Sequence, residues 1–279
     1  MNLENGRKTI GINIPCYNEE ENVVPICEAI IKLFDGELAG YNYLIQFIDN
    51  NSEDTTQEKI RDLCKKYMCV RAIFNEKNYR WYSSSYGLWQ AEGDCIIAIA
   101  ADFEEPVELI REFVKYWEEG YGLILGVKKS SNEKKRMFFM RKLYYHILES
   151  VSDIEIIDGF SGFGLYDRKF IEIYKNSCDY ATVFRTFVSE NGYRIKTIEY
   201  EKKERLHGKS KHSFLSLCDD FLVTFVSCST VGIRLVTMSG MGLSIVSIMV
   251  ALIYLILKIL KWNSFNAGIA PILIGMFFL

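Results

Sequence analysis

Residues 9–30 read TIGINIPCYNEEENVVPICEAI, and three kinds of sequence succeed one another within them. Thr9 to Pro15 is a short β-branched run of the kind that forms a strand buried on both faces. The polar cluster PCYNEEEN, Pro15 to Asn22, follows it. Val23, Cys27 and Ile30, continued by Phe34, then recur at helical spacing. A strand, a polar turn and an amphipathic helix begin a β–α–β unit, whose crossover leads into a parallel sheet.

The alternation continues. YLIQFID (43–49), VRAIF (70–74), CIIAIA (95–100) and GLILGV (122–127) read as further buried strands, and Ile60, Leu63 and Tyr67 keep a helical period between two of them. This order predicts a doubly wound α/β domain ending near Ser213, with its ligand crevice at the carboxyl ends of the strands. Neither G-x-G-x-x-G nor G-x-x-x-x-G-K-S/T occurs, so dinucleotide and P-loop chemistry lose their main support.

With 279 residues, 49% hydrophobic content and a net charge of -3, the chain can fill one full core and is a poor general binder of nucleic acid. Its eight cysteines include no C-x-x-C pair, and Cys16, Cys27 and Cys95 lie in apolar runs, which suits a reduced, cytosolic compartment. The start, MNLENGRKTIGINIP, has no signal-peptide pattern. Leu235–Leu257 carries no charge and exceeds the ~20 residues that cross a bilayer core. Beyond Lys258, Lys261 and Trp262, the apolar tail Ala267–Leu279 is too short to span, so the expectation is a multi-pass region, 235–279, with a truncated second span. Phe214, Leu217, Phe221, Phe225 and Cys228 suggest an interfacial amphipathic helix over 214–234. Lys128, Lys129, Lys134, Lys135, Arg136, Arg141 and Lys142 interleave with Phe138, Phe139 and Tyr144, which suits either a solvated basic face or one resting on anionic headgroups.

PCYNEEEN, DNNSEDTT and ADFEEP each follow an expected strand, so carboxylates and amides gather along one sheet edge. Singly, such clusters are usually turns and helix caps, as Asn18 and Ser52 could be. Together with FSGFGLYDRK (160–169), RLHGKSKH (205–212) and the membrane segment, they make the chain from Ile10 onward resemble the family-2 glycosyltransferases of GT-A fold, in particular the polyprenyl-phosphate glycosyltransferases that include dolichol-phosphate mannose synthase. The resemblance implies that Pro15, Tyr17, Glu19 and Asp49 hold the base and ribose of a nucleotide. It implies that Asp102 binds Mg²⁺ or Mn²⁺ on the diphosphate, and that Arg205, Ser210 and Lys211 close over the phosphates.

Two positions depart from that family's pattern. Ala100 stands where an Asp-x-Asp would begin, leaving Asp102, with Glu104 as a second candidate ligand; Mg²⁺ takes only one or two protein carboxylates when phosphate and water supply the rest. Glu105 reads as the start of a helix with Pro106 at N1. Gly162 stands where an aspartate is common. A lipid phosphate, with a second pKa of ~6, attacks without a base, whereas a hydroxyl needs one; Asp158 is the candidate for that case, although loop capping is its commoner role. Asp167 and Arg168 read as a strand-end and helix-cap pair. Arg80 reads either as an exposed helix-start residue or as a substrate contact, and Trp81 beside it as packing.

The expected activity is inverting transfer of a sugar, UDP-linked by prior frequency, to undecaprenyl phosphate at the cytosolic face of the plasma membrane. Transfer to a hydroxyl of a glycan or lipid is the first alternative, and a nucleotide-sugar-binding membrane protein without turnover the second. Ser239, Gly240 and Gly242 would let two copies of the span pack closely.

Overall fold

A computed structural model of the chain describes residues 6–80, 82–129, 157–177, 184–190, 192–203 and 231–260. In β1 (Thr9–Cys16), Ile10, Ile12 and Ile14 are buried, and so are the alternate residues Gly11 and Asn13. Side chains alternate across a strand, so β1 is covered on both faces and must be central. In chain order there follow α1 (Val23–Asp35), β2 (Asn42–Asp49), α2 (Thr56–Lys66), β3 (Val70–Phe74), α3 (Tyr82–Gln90), β4 (Cys95–Ala98), a 3-10 turn (Val107–Leu109) and α4 (Ile110–Glu118). Then come β5 (Leu123–Lys128), β6 (Phe160–Asp167), α5 (Arg168–Asn176), α6 (Phe184–Glu190), β7 (Ile195–Tyr200) and α7 (Val231–Leu260).

The sheet order is β3-β2-β1-β4-β6-β5-β7. β1 pairs in parallel with both β2 and β4, so the chain reverses its direction of growth between them, which is where an open α/β sheet leaves a crevice. The sheet is mainly parallel: β6 alone runs against its neighbours β4 and β5, and β7 is parallel to β5. One apolar layer joins Ile10, Ile12 and Ile14 to α1, α2 and α4 through Val23, Ile30, Ile60 and Phe113. The opposite layer packs Leu88 of α3 and Phe170, Tyr174 and Phe187 of α5 and α6 against Ile96, Leu123 and Tyr166. Each fully buried Ile or Phe contributes roughly 1.5–3 kcal/mol.

Strands expected at 9–15, 43–49, 70–74 and 122–127 lie within one residue of those bounds, whereas β4 ends two residues before Ala100. Its ladder closes with Ile99 N–H donating to Asn13 O at 3.1 Å; the next N–H, of Ala100, is taken by the Glu105 side chain. β6 and β7 had no sequence reading as strands. Asp167 and Arg168 do form a strand-end and cap pair: Asp167 Oδ1 accepts from Lys169 N–H at 2.9 Å, and Arg168 donates to Ala91 O at 2.7 Å. α7 takes in Leu235–Leu257 and begins at Val231, inside the stretch read as interfacial. Among the described residues it is the one helix long and apolar enough to cross a membrane, and Leu235, Val236 and Ile259 are 64%, 74% and 64% exposed. At 1.5 Å per residue it spans about 45 Å, more than a hydrocarbon core. The domain boundary near Ser213, most of the 214–234 helix, the basic stretch from Lys134 on and the tail Ala267–Leu279 lie outside the described residues.

α3 lies against β1 and β2 on the face opposite α1. Gln46 Nε2 donates to Asn13 Oδ1 at 3.0 Å and to Gly87 O at 2.7 Å, so two buried amides are paired only while the helix stays close. A Cβ on Gly87 would meet Asn13 Oδ1 at 2.4 Å and Ile48 at 3.0 Å. Gly87→Ala should therefore lower stability by about 1–3 kcal/mol, read as a fall in the thermal midpoint of the full chain in detergent. Gly40→Ala, with open space at its Cβ position, should leave that midpoint nearly unchanged.

Candidate active site

The turns after β1, β2 and β3 are laced together by their own polar groups. Asn18, with φ at +53°, donates its N–H to Ser52 Oγ at 2.8 Å and accepts from Glu53 N–H at 2.7 Å. Glu19 receives Asn22 Nδ2 at 2.6 Å on its carboxylate, and its carbonyl accepts from Asn22 and Val23 N–H, so it starts α1; its own N–H donates to Thr56 Oγ1 at 2.8 Å. Asp49 is fully buried at the end of β2 and accepts from Ser52 N–H at 3.1 Å, from Ser52 Oγ and from Gln57 Nε2 at 2.7 Å. Pro15 and Tyr17, half-buried, stand at the end of β1 beside it.

Asn50 was not singled out in the sequence, yet it organises the next turn. Its Oδ1 accepts from Tyr79 N–H at 2.8 Å and Asn75 Nδ2 at 3.3 Å, while its Nδ2 donates to Asn78 Oδ1 at 2.9 Å and Arg80 O at 3.2 Å. Arg80 itself is exposed with φ at +55°, ahead of the first residue of α3. On the outer side of this turn opens a cleft of about 450 Å³ walled by Phe74, Tyr79, Tyr82, Tyr86 and Trp89. β3 and β4 are three strand spacings apart, so this cleft is about 14 Å from the line of β4.

The acidic turn after β4 is a second centre. Asp102 is 8% exposed, and its Oδ1 accepts from Glu104 N–H at 3.2 Å across Phe103, whose φ is +59°. Glu104 forms a 2.5 Å ion pair with Lys202, just past β7, and its carbonyl accepts from Lys203 N–H at 3.2 Å. Glu105, also 8% exposed, does not act as a helix-start charge. Its carboxylate turns back, one oxygen accepting from Ala100 N–H at 2.8 Å and the other from Ser161 Oγ at 2.9 Å on β6. Burial pushes its pKa up to about 7, against the pull of those two hydrogen bonds, and the charges of Asp102 and Glu104 add to the rise. Tyr200, at the end of β7, is pushed up to about 12, first by burial and then by the Glu105 charge. Asp158 is exposed at the entry to β6.

Asp102, Glu104 and Glu105 place three carboxylates within four residues, the charges of the first two raise the proton affinity of the third, and such hard oxygen donors are what a divalent cation neutralises. Among the described residues no group of three or more His, Cys, Asp or Glu could enclose an ion alone. The donor set therefore fits a cation that takes one or two protein carboxylates and fills its shell with phosphate and water. Arg205, Ser210 and Lys211 lie outside the described residues, and Lys202 and Lys203 show that β7 delivers the chain toward the acidic turn just before them.

Residues 12–215 match the family described as glycosyl transferase family 2. The prophage bactoprenol glucosyl transferase homolog of Escherichia coli (strain K12) is 26% identical over 274 residues, 97% of this chain and 88% of that protein. Mannosyl-3-phosphoglycerate synthase from Rubrobacter xylanophilus superposes with a TM-score of 0.58 at 15% identity, covering 83% of this chain and 75% of that one. A mannosyltransferase from Pyrobaculum calidifontis, in complex with GDP-Man and Mn²⁺, gives 0.51 at 15% identity, covering 74% and 59%. At such identities the structural likeness speaks for the fold alone, a Rossmann-like mixed sheet of GT-A type.

Glu105 gives a pH prediction. Its carboxyl keeps a proton in the folded state up to about pH 7, whereas an unfolded glutamate loses it near 4.5. The folded state binds more protons in that window, so stability falls as pH rises from about 4.5 to 7 and then levels, by a total on the order of 3 kcal/mol. Glu105→Gln should remove that slope. In metal-free protein, thermal midpoints of the two chains should converge near pH 4.5 and the variant should be the more stable at pH 8.

Proposed function

The chain belongs to glycosyl transferase family 2, and from that premise we propose that it moves a sugar from a UDP-linked donor to a polyprenyl phosphate at the cytosolic face of the plasma membrane. The observation that carries this reading is the seat of Asp102. It is held at the carboxyl end of β4, beside the switch between β1 and β4, in a chain that also has a helix fit to cross a bilayer. The acceptor class is supported by the bactoprenol glucosyl transfer in the name of the Escherichia coli relative. A cytosolic domain is supported by where nucleotide sugars are found.

In this reading Pro15 and Tyr17 line the end of β1 against the donor's base and ribose, while Asp49 and Glu19 hold the turns that form that wall. Arg80 reaches donor or acceptor from the rim of the 75–80 turn. Asp102, with Glu104, would hold Mg²⁺ or Mn²⁺ on the diphosphate; the Pyrobaculum calidifontis structure contains Mn²⁺ with GDP-Man. The bound cation would offset the charge that builds on the departing diphosphate, the kind of electrostatic effect that usually dominates at such sites. To hold the ion Glu104 would give up its pair with Lys202, whose ammonium would then be free for the phosphates. Arg205, Ser210 and Lys211 complete the cationic side.

The acceptor phosphate, already doubly ionised at neutral pH, needs no proton removed. A hydroxyl acceptor would need a base, and the candidate for that second reading is Asp158, exposed at the entry to β6.

The purified full chain in detergent should release UDP from a UDP-sugar only when undecaprenyl phosphate and Mn²⁺ are both supplied, with the label passing to the lipid. Asp102→Asn should reduce that release by about 100-fold or more. Release on a hydroxyl-bearing lipid but not on the lipid phosphate would establish the second reading.

A further inference from the structure

We propose that Glu105 is a positioning residue for the transfer reaction, its carboxylate clamping the turn that carries Asp102 to β6. The proposal rests on the sugar-transfer reading above. β4 stops pairing with β6 at Ala98↔Gly164, so the residues that follow on both strands have left the ladder. Ala100 N–H and Ser161 Oγ lie in that gap, and the Glu105 carboxylate joins them at 2.8 and 2.9 Å. One side chain thus substitutes for the missing rungs.

The turn is strained and pulled two ways. Within it Phe103 sits at φ +59°, a region that side chains disfavour, and Asp102 is committed to Glu104 N–H. Glu104 is drawn the other way, toward Lys202 and Lys203 beyond β7. The two oxygens of Glu105 accept from two separate elements, and its burial keeps water from competing. Tyr200 is buried, hydrogen-bonds the same Ser161 and packs edge-on to Phe163, so the clamp is backed by β6 and β7 together. A carboxylate fixed in advance binds its ion and diphosphate without a further ordering cost.

The test is a titration of Mn²⁺ into UDP-loaded full chain in detergent, free Mn²⁺ being read by electron paramagnetic resonance. Wild type should bind Mn²⁺ with UDP, and Glu105→Ala should bind it about 10-fold or more weakly. Glu105→Gln, which can still accept from Ala100 and reach Ser161, should stay within about 3-fold of wild type by the same argument. The KM for the lipid phosphate should be the same in all three chains. An unchanged Mn²⁺ affinity in Glu105→Ala overturns the proposal, and so does a loss in Glu105→Gln equal to that in Glu105→Ala, which would make the charge rather than the clamp essential. Should Glu105→Ala fail to fold, Ser161→Ala carries the test: weaker Mn²⁺ binding supports the clamp and wild-type binding overturns it. Wild type that binds no Mn²⁺ in the presence of UDP refutes the sugar-transfer reading and the clamp with it. Tight binding in wild type with no effect of the variants refutes the clamp alone.

Discussion

Asn13 sits among isoleucines in the central strand, and a buried amide is tolerated there only if it is fully hydrogen-bonded. Its partner Gln46 comes from the neighbouring strand, and Gln46 in turn needs the carbonyl of Gly87. This chain of two side chains and one backbone oxygen fixes how closely α3 approaches the sheet, and Gly87 is the residue that permits the approach. Once α3 is seated, the position of its first turn is set. Ser83 then accepts from Asn75, Asn75 donates to Asn50, and the turn after β3 takes its shape. The rim formed by the turns after β2 and β3 is therefore a downstream product of a polar contact inside the core.

The acidic turn is built on a different principle. Its strands have stopped pairing, so side chains supply what the backbone no longer does. Negative charges are concentrated where they repel one another, and lysines from beyond β7 offset part of that repulsion. The turn lies at the carboxyl end of β4, beside the point where the order of strands reverses.

Much of this was legible in the sequence, for stated physical reasons. β1, β2, β3 and β5 are short runs dominated by apolar, largely β-branched residues, the pattern of strands buried on both faces. β6 was hidden because Ser161, Gly162 and Gly164 interrupt its apolar pattern. Gly164 is needed where a Cβ would come within 2.5 Å of Ile124 O, and Gly162 has φ at +104°. Asp102 stood out because a lone acid ended an apolar strand. Asn50 and Glu105 did not, since their roles depend on partners 25 to 56 residues away in sequence. An asparagine in a turn and a glutamate before a proline have common local uses, and only the fold reveals the distant ones.

The reversed direction of β6 has a further consequence. β5 runs toward the edge that bears Asp102 and β6 starts from it, so the chain leaves the sheet at Lys129 and comes back at Ile157 on the working side of the molecule. Lys128 N–H to Gly159 O and Lys129 N–H to Tyr200 O, at 3.0 and 2.8 Å, staple both flanks of that excursion to the sheet. These two bonds fix the points at which the chain departs from the sheet and rejoins it, whatever sequence joins them.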